Sequence, residues 1–99
     1  MAKKWKQNNQ KITCKDGFKM SVQASETHYC TPRIDYADIY TEVEVGFPSE
    51  REELLMPHIE VPGGVPTKNV YPWVPSQVVA DVIKKHGGLI GGELPPMEK

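Results

Sequence analysis

The sequence has no apolar run long enough to span a membrane and no apolar segment typical of a secretion signal. Three of its first six residues, Met-Ala-Lys-Lys-Trp-Lys, are lysines. It contains only two cysteines, Cys14 and Cys30, and no Cys-x-x-Cys pair. It also lacks internal repeats and heptads, which excludes solenoids and coiled coils. These absences predict a cytoplasmic protein whose two thiols are reduced.

What the sequence does contain is enough for one small domain. It has 99 residues, of which 38% are hydrophobic, and this permits a thin core. Nine prolines and eight glycines exceed average usage and favour short elements joined by turns. We expect a flexible basic arm over residues 1–9, a single folded domain over 10–90 and a flexible tail over 91–99.

Charge is sorted along the chain, although the net charge is only −1. Residues 1–19 carry six lysines and one acid, whereas residues 20–66 carry nine acids and two arginines. The remaining residues are nearly balanced, with four lysines and three acids. Because the acidic stretch coincides with the predicted domain, it favours a partner with a basic surface.

The beginning of the domain predicts a β-hairpin. Residues 10–14 and 18–24 flank Lys15-Asp16-Gly17, and an Asp-Gly pair between alternating runs is a strong hairpin signal. Ile12 and Cys14 are expected to face the core from the first strand. The residues expected to share that face on the second strand are Phe18, Met20, Val22 and Ala24.

A third strand is predicted over residues 37–47, where apolar and polar side chains alternate. Successive side chains of a strand point to opposite faces, so one face should be buried and the other wet. The expected inward set is Ile39, Thr41, Val43, Val45 and Phe47, and the expected outward set is Asp38, Tyr40, Glu42 and Glu44.

Residues 71–88 predict an aromatic strand end that turns directly into an amphipathic helix. Pro75 suits the first helical turn, and Gly87 and Gly88 suit the end of the helix. The apolar stripe of this helix, which needs a sheet to pack against, consists of Val78, Val79, Val82, Ile83 and His86.

Two shorter signals precede this helix. Ser49-Glu-Arg-Glu52 matches a capping box and predicts a helix of about two turns that ends before Pro57. Residues 68–74 predict a fourth strand, where Pro72 favours a sheet edge or a bulge. The predicted fold is α+β, with a mostly antiparallel sheet of three to four strands and one C-terminal helix packed on it. The predicted order is β-β-β-(short α)-β-α.

The predicted binding surface combines the loop over residues 25–36 with the acidic face of the third strand. Tyrosine side chains on an otherwise charged surface are typical of interface anchors. Trp73, which leads into the helix, is instead expected in the core. The predicted partner-binding residues are Tyr29, Arg33, Tyr36, Asp38, Tyr40, Glu42 and Glu44.

Other kinds of chemistry compete with this interpretation. Cys30 lies two residues after His28, and residues two apart on an extended segment point the same way, so a thiol nucleophile could reach its base; no oxyanion-hole motif accompanies them. The lysines of the arm, with Trp5, favour weak nucleic-acid binding, which the acidic middle opposes. The possible zinc ligands lack the spacing of a structural site, and they are Cys14, His28, Cys30, His58 and His86. We predict no catalytic residue, metal or cofactor, and keep nucleic-acid or nucleotide binding and a zinc site as alternatives.

Three segments, over residues 15–25, 28–33 and 41–49, read KDGFKMSVQAS, HYCTPR and TEVEVGFPS. With them the chain resembles, over about residues 11–88, small uncharacterised proteins encoded by bacteriophages and prophages. The resemblance implies a context, the cytoplasm of a bacterial host, and no individual site. Short accessory proteins of phages often bind and redirect a host or defence protein.

The expected function is therefore non-enzymatic binding of a host or defence protein with a basic surface, which the chain inhibits or modulates. A homodimer is also predicted, because surplus apolar residues beside an exposed sheet edge favour pairing with a second copy. The residues expected together at that edge are Tyr71, Trp73, Leu89, Ile90 and Leu94.

Overall fold

The computed structural model describes residues 9–98, so the predicted basic arm lies outside the described residues except for Asn9. Five strands and one α-helix form the domain. In chain order they are β1 (Ile12–Cys14), β2 (Lys19–Gln23), β3 (Glu42–Gly46), β4 (Val70–Pro75), α1 (Ser76–Lys85) and β5 (Leu89–Gly91). Two short 3-10 helices, Met56–His58 and Pro66–Lys68, lie between β3 and β4.

The strands form one antiparallel sheet in the order β4-β3-β2-β1-β5. The predicted α+β class and the C-terminal helix are confirmed, and the sheet has five strands where three to four were expected. The added strand is β5, which pairs with β1 through Thr13 and Gly91. It places the beginning of the predicted tail inside the sheet.

The Asp-Gly hairpin forms as predicted. Gly17 has a φ of +98°, a left-handed conformation that glycine adopts readily. The Asp16 carboxylate accepts a hydrogen bond from Phe18 N–H at 2.9 Å, which fixes the turn. Ile12 then pairs with Met20, and both side chains are fully buried.

One face of the sheet and the inner side of α1 enclose the core. Val79 and Val82 of the helix are fully buried, and Val78 and Ile83 pack at the margin. The helix ends at Lys85, and Gly87 follows with a φ of +92°. The fully buried residues from the sheet are Ile12, Cys14, Met20, Val22, Val43, Val45, Tyr71 and Val74.

The capping-box helix predicted from Ser49 does not form. Ser49 Oγ instead accepts a hydrogen bond from Lys19 N–H at 2.9 Å, which ties this segment to β2. Glu52 turns inward and is 1% exposed, so it is unable to cap a helix at Ser49. The segment reaches helical geometry only at Met56, as one 3-10 turn.

The third strand is shorter than predicted, and this changes which side chains face out. It begins at Glu42, so the alternation does not extend back to Ile39 and Tyr40. Tyr40 is 2% exposed and Ile39 is 54% exposed, the reverse of the prediction. Phe47, predicted to face inward, follows the strand with a φ of +50° and is exposed.

Trp73 is exposed, so the prediction that it packs in the core is wrong. It sits in β4 at one edge of the sheet, beside a register shift between β3 and β4, with a φ of +50°. This irregularity turns its side chain outward while Tyr71 and Val74 stay buried. The predicted edge position of Pro72 is confirmed.

The residues expected together at one sheet edge are divided between the two edges. Tyr71 and Trp73 belong to β4, and Leu89 and Ile90 belong to β5 on the other side. The chain after β5 packs back onto the domain, because Tyr40 N–H donates to the Pro96 carbonyl and Glu98 N–H donates to the Tyr40 carbonyl. No helix within residues 9–98 combines the length and apolar character that crossing a membrane requires.

Candidate functional site

The loop over residues 25–36 lies directly on the acidic side of β3. Tyr29 N–H donates to Glu44 Oε1 at 3.0 Å, and Thr31 Oγ1 donates to Glu42 Oε1 at 2.6 Å. The Thr31 backbone N–H also donates to the Glu42 carbonyl. The two segments predicted to form the binding surface are therefore brought together.

Between this loop and β4, three side chains form a stack, here called the aromatic stack (Arg33, Tyr29 and Trp73), in which Arg33 and Trp73 are exposed and Tyr29 is half-buried. The Tyr29 and Trp73 rings have centroids 5.0 Å apart at an angle of 40°, and the Arg33 guanidinium lies 5.1 Å from the Tyr29 ring. Trp73 N–H donates to the Tyr29 carbonyl at 3.1 Å, so the sheet edge and the loop are also joined through backbone atoms. Trp73 remains 46% exposed.

Hydrogen bonds within the loop fix the position of the aromatic stack. Ser25 is buried, and its hydroxyl contacts His28 Nδ1 at 2.7 Å and accepts from Thr27 N–H at 3.1 Å. Arg33 Nε donates to the Glu26 carbonyl, so the guanidinium is held where it stacks on Tyr29. These contacts make the surface preorganised, which lowers the entropic cost of binding.

The surface around the aromatic stack is acidic. Glu42 and Glu44 accept hydrogen bonds from neutral donors, and such bonds leave a carboxylate's negative charge in place. Glu26 N–H donates to Asp35 Oδ1 at 3.1 Å, and the neighbouring Asp35 carboxylate raises the pKa of Glu26. Arg33 is the cation within the loop, so the local field is negative.

Of the other predicted contact residues, two are exposed and one is buried. Tyr36 and Asp38 are exposed, and Tyr36 has a φ of +54°. Tyr40, predicted as a surface anchor, is buried instead. Its hydroxyl donates to the Ile34 carbonyl at 2.6 Å and accepts from Ala37 N–H at 3.2 Å. Tyr40 therefore supports the end of the loop from below and is inaccessible to a partner.

A second polar constellation, not predicted from the sequence, lies where α1 ends and is centred on the buried side chains of His86 and Glu52. His86 Nδ1 lies 2.6 Å from Asp16 Oδ2, and His86 Nε2 lies 2.7 Å from Glu52 Oε1. Lys85 Nζ adds an ion pair to Glu52 Oε2 at 2.8 Å. We call these four residues the charge cluster; the imidazole ring also stacks on Phe18 at 4.1 Å.

Carboxylates at both ring nitrogens of His86 require both nitrogens to act as donors, which is the protonated form. Burial lowers the pKa of His86, but the hydrogen bonds to Glu52 and Asp16 outweigh burial and raise it. Burial likewise opposes ionisation of Glu52, yet hydrogen bonds from Lys85, Leu54 N–H and His86 lower its pKa. The cluster is a closed set of mutually satisfied charges, with a structural role.

The sequence contains only an ambiguous signal for the charge cluster. His86 was assigned to the apolar stripe of the helix, and Glu52 was assigned to a helix cap. Glu52 and His86 are far apart in the sequence, so no local pattern relates them. Their partnership depends on the fold.

The residues considered for zinc do not come together among the described residues, and Cys30 lacks the environment of a catalytic thiol. Cys14 lies in the core, His86 belongs to the charge cluster, and no group of three potential ligands with metal-site geometry occurs within residues 9–98. Cys30 is 2% exposed, and burial is the main reason that its pKa is raised. A raised pKa is the opposite of what a thiolate nucleophile needs.

Three of the lysines considered for nucleic-acid binding lie among the described residues, and all three are exposed on or beside the β1–β2 hairpin. Lys11 bonds to the Phe47 carbonyl and lies 6.0 Å from the Phe47 ring, and Lys15 and Lys19 are exposed on the hairpin. The remaining arm residues, Lys3, Lys4, Trp5 and Lys6, lie outside the described residues.

No protein-family model, curated protein or solved structure matches this chain.

Proposed function

We propose that this chain is a non-enzymatic binding protein that engages a protein partner through the 25–36 loop, the aromatic stack and the carboxylates of Glu42 and Glu44. The partner surface is basic. In the phage setting that the sequence resemblance implies, the partner is a host or defence protein in the bacterial cytoplasm, which the chain inhibits or modulates.

The observation that carries this proposal is the exposure of Arg33 and Trp73, which both contact the half-buried Tyr29 in the aromatic stack. Tryptophan, tyrosine and arginine are the residue types most enriched among the side chains that dominate binding energy at interfaces. Here one of each lies in contact on a surface that internal hydrogen bonds already hold in place. Folding does not require a large aromatic side chain at the edge of the sheet, whereas a binding surface gains from one.

The left-handed backbone of Trp73 adds support. A bulky residue with positive φ costs free energy, on the order of 1–3 kcal/mol, and such residues concentrate at functional positions. The cost is compensated elsewhere in the fold, and its result is an aromatic ring directed away from the core. Among the described residues, three non-glycine residues have positive φ, and all three are exposed aromatics: Tyr36, Phe47 and Trp73.

The acidic residues around the aromatic stack predict that the partner has a basic surface. Glu42 and Glu44 keep their negative charges beside the aromatic stack, and Asp35 and Glu26 extend the field along the loop. Such a field accelerates association with a basic surface and weakens as salt rises. Buried carboxylates that were neutralised by lysine or arginine partners would not have this effect.

The test is capture of a partner from bacterial lysate over a series of salt concentrations. The decisive variant is the pair Glu42→Gln and Glu44→Gln, because glutamine keeps an oxygen acceptor for Tyr29 N–H and Thr31 while removing both charges. We expect weaker capture and a shallower dependence on salt. Trp73→Gly should abolish capture.

Val61→Lys is the matched control, since it changes an exposed apolar residue outside any strand and outside the proposed surface. Capture that is unchanged in both surface variants, or lost equally in the control, contradicts the proposed surface. Circular dichroism on each variant separates loss of binding from loss of fold.

A further inference from the structure

The indole ring of Trp73 is partly open to water. It is 46% exposed, and it contacts the Tyr29 ring at a tilt of 40°. Among the described residues, the cations that lie over aromatic rings are Lys11, over Phe47, and Arg33, over Tyr29. The indole is the side chain best suited to hold a cation, and no cation of the described residues lies over it.

A carboxylate lies beside this ring, on the neighbouring strand. At the register shift between β3 and β4, the single residue Glu44 faces Pro72 and Trp73. Its strand neighbours, Val43 and Val45, are fully buried, so the Glu44 side chain points to the outer face of the sheet, as the exposed Trp73 does. Side chains that face each other in an antiparallel pair have Cβ atoms about 4.5–5.5 Å apart, which places the carboxylate within reach of a group stacked on the ring.

One oxygen of this carboxylate is already bonded, and the other is available. Tyr29 N–H donates to Glu44 Oε1 at 3.0 Å, and the Tyr29 carbonyl accepts from Trp73 N–H at 3.1 Å. The backbone of one residue thus holds the carboxylate and the ring side by side. No other donor within residues 9–98 reaches Glu44, and every buried side-chain oxygen of these residues has a partner, so Oε2 faces water.

The contact between Arg33 and Tyr29 indicates which cation suits such a place. The guanidinium lies 5.1 Å from the Tyr29 ring while Nε donates to the Glu26 carbonyl at 3.1 Å. A planar guanidinium can stack on an aromatic face and at the same time direct N–H groups to an oxygen at its edge. An ammonium group lacks the flat face and is more strongly hydrated. A ring with a carboxylate oxygen beside it therefore favours arginine over lysine.

The charges around the ring favour an additional cation. Within the loop over residues 25–36 and strand β3, four carboxylates accompany one guanidinium, that of Arg33. A second guanidinium therefore enters a negative field and reduces the repulsion among the carboxylates. The four are Glu26, Asp35, Glu42 and Glu44.

We propose that Trp73 and Glu44 together bind one arginine side chain of the protein partner. The guanidinium stacks on the open part of the indole ring, and its edge donates to Glu44 Oε2. This inference rests on the proposed function, because it names the residue of the partner that the surface recognises.

Two peptides of equal length and charge test the arginine site. One consists of three Gly-Arg repeats and the other of three Gly-Lys repeats, and both are acetylated and amidated. Each is titrated into the full chain, and binding is followed by the amide chemical shifts of β3 and β4. We expect the arginine peptide to bind about three- to tenfold more tightly, because the charge is the same and only the guanidinium stacks well on the ring.

Phe47 supplies a matched control for the ring, because it shares with Trp73 a φ of +50° and an exposure of 46%. Trp73→Gly should make the two peptides bind equally, whereas Phe47→Gly should keep the preference for arginine. Glu44→Gln keeps an acceptor for Tyr29 N–H and should weaken binding of the arginine peptide at least about threefold. Glu50→Gln removes an exposed carboxylate outside the proposed surface and should not. Circular dichroism confirms that each variant folds.

The arginine site is overturned if the lysine peptide binds as tightly as the arginine peptide, or if Trp73→Gly keeps the preference. It is also overturned if Phe47→Gly matches the effect of Trp73→Gly, or if Glu50→Gln matches that of Glu44→Gln. Equal binding of both peptides still agrees with a basic partner attracted by the carboxylates, so it removes the arginine site and leaves the proposed function standing. If neither peptide binds, the arginine site is likewise wrong, and capture from lysate decides the proposed function separately.

Discussion

His86 Nε2 lies 2.7 Å from Glu52 Oε1, and the two side chains are 6% and 1% exposed. This contact joins the end of α1 to the segment after β3, and the second ring nitrogen of His86 extends it to Asp16 in the β1–β2 turn. Three parts of the chain that are distant in sequence thus meet at one imidazole ring. Ion pairs this deeply buried stabilise a fold only while every member is present.

Removing one charge from the cluster should therefore be costly. We expect Glu52→Gln to lower the free energy of unfolding by about 3 kcal/mol, because it leaves the buried His86 with one carboxylate fewer. Urea denaturation measures this. Glu53→Gln is the adjacent control, since Glu53 forms an exposed ion pair with Arg51, and its effect should stay within about 1 kcal/mol. Equal effects of the two variants would contradict the structural role of the cluster.

The charge cluster also predicts how stability depends on pH. The raised pKa of His86 means that its contribution is complete below its ordinary value of 6.5 and is lost as pH rises through the folded-state value. The pKa of Asp16 is lowered by hydrogen bonds from Phe18 N–H and His86, and that of Glu52 is lowered as well. Their contributions are complete above the ordinary values of 3.8 and 4.5 and are lost as pH falls through the folded-state values.

We therefore expect a plateau of stability between about pH 4.5 and 6.5, with a decline on either side. The melting temperature across this range measures it. In a His86→Gln variant the decline that begins near pH 6.5 should disappear, because glutamine does not titrate, and only the decline above about pH 9 from the raised pKa values of Cys14 and Cys30 should remain. A decline of the same size in that variant would assign the effect to other groups.

The positive φ of Trp73 predicts that two substitutions differ in their effect on stability and have the same effect on binding. Glycine tolerates this backbone conformation and alanine does not, so Trp73→Gly should be more stable than Trp73→Ala by about 1 kcal/mol. Both variants should lose partner capture, since both lack the ring. Chemical denaturation compares the two, and an alanine variant as stable as the glycine variant would contradict the strain.

The two thiols should react slowly in the folded protein. Burial is the main reason that the pKa values of Cys14 and Cys30 are raised, so little thiolate is present at neutral pH. We expect alkylation by iodoacetamide at pH 7.5 to be much slower than in urea-unfolded protein. Mass spectrometry counts the modified thiols, and rapid labelling of Cys30 in the folded state would revive the hypothesis of a reactive site in the loop.

A homodimer remains a prediction, now placed at the β5 edge. Leu89 and Ile90 are 42% and 66% exposed on an edge strand, and such edges pair readily with a second copy. Sedimentation equilibrium at micromolar concentration should give twice the mass of one chain. Ile90→Lys should yield the mass of one chain, whereas Val61→Lys, which changes an exposed apolar residue outside any strand, should not. A single-chain mass in the unmodified protein contradicts the prediction.

The elements that could be predicted from the sequence have strong local signals. Asp16-Gly17 specified the hairpin, and the apolar stripe followed by Gly87 and Gly88 specified α1. The strand β5 could not be predicted in this way, because its three residues follow two glycines and show no alternation. Pairing with β1 stabilises β5 as a strand, although the sequence of β5 contains no strand signal.

Only those parts of the candidate binding surface that have local sequence signals could be predicted. The loop and the pair Glu42 and Glu44 were expected together and do meet. Tyr40 was assigned to the wrong face because the alternation was extended beyond the true beginning of β3. Trp73 was assigned to the core because neither a register shift nor a positive φ is visible in a hydrophobicity pattern.

The pairing of Thr13 with Gly91 also has a consequence for the growing chain. During synthesis the hairpin emerges early, and the outer edge of β1 then has no neighbour until β5 has been made. Contacts across so large a sequence separation form late, and an open strand edge can recruit other chains in the meantime. Strand β5 therefore covers an edge of the sheet that would otherwise stay open. A chain stalled on the ribosome before residue 89 should aggregate through this edge, although most of its core residues have already been made.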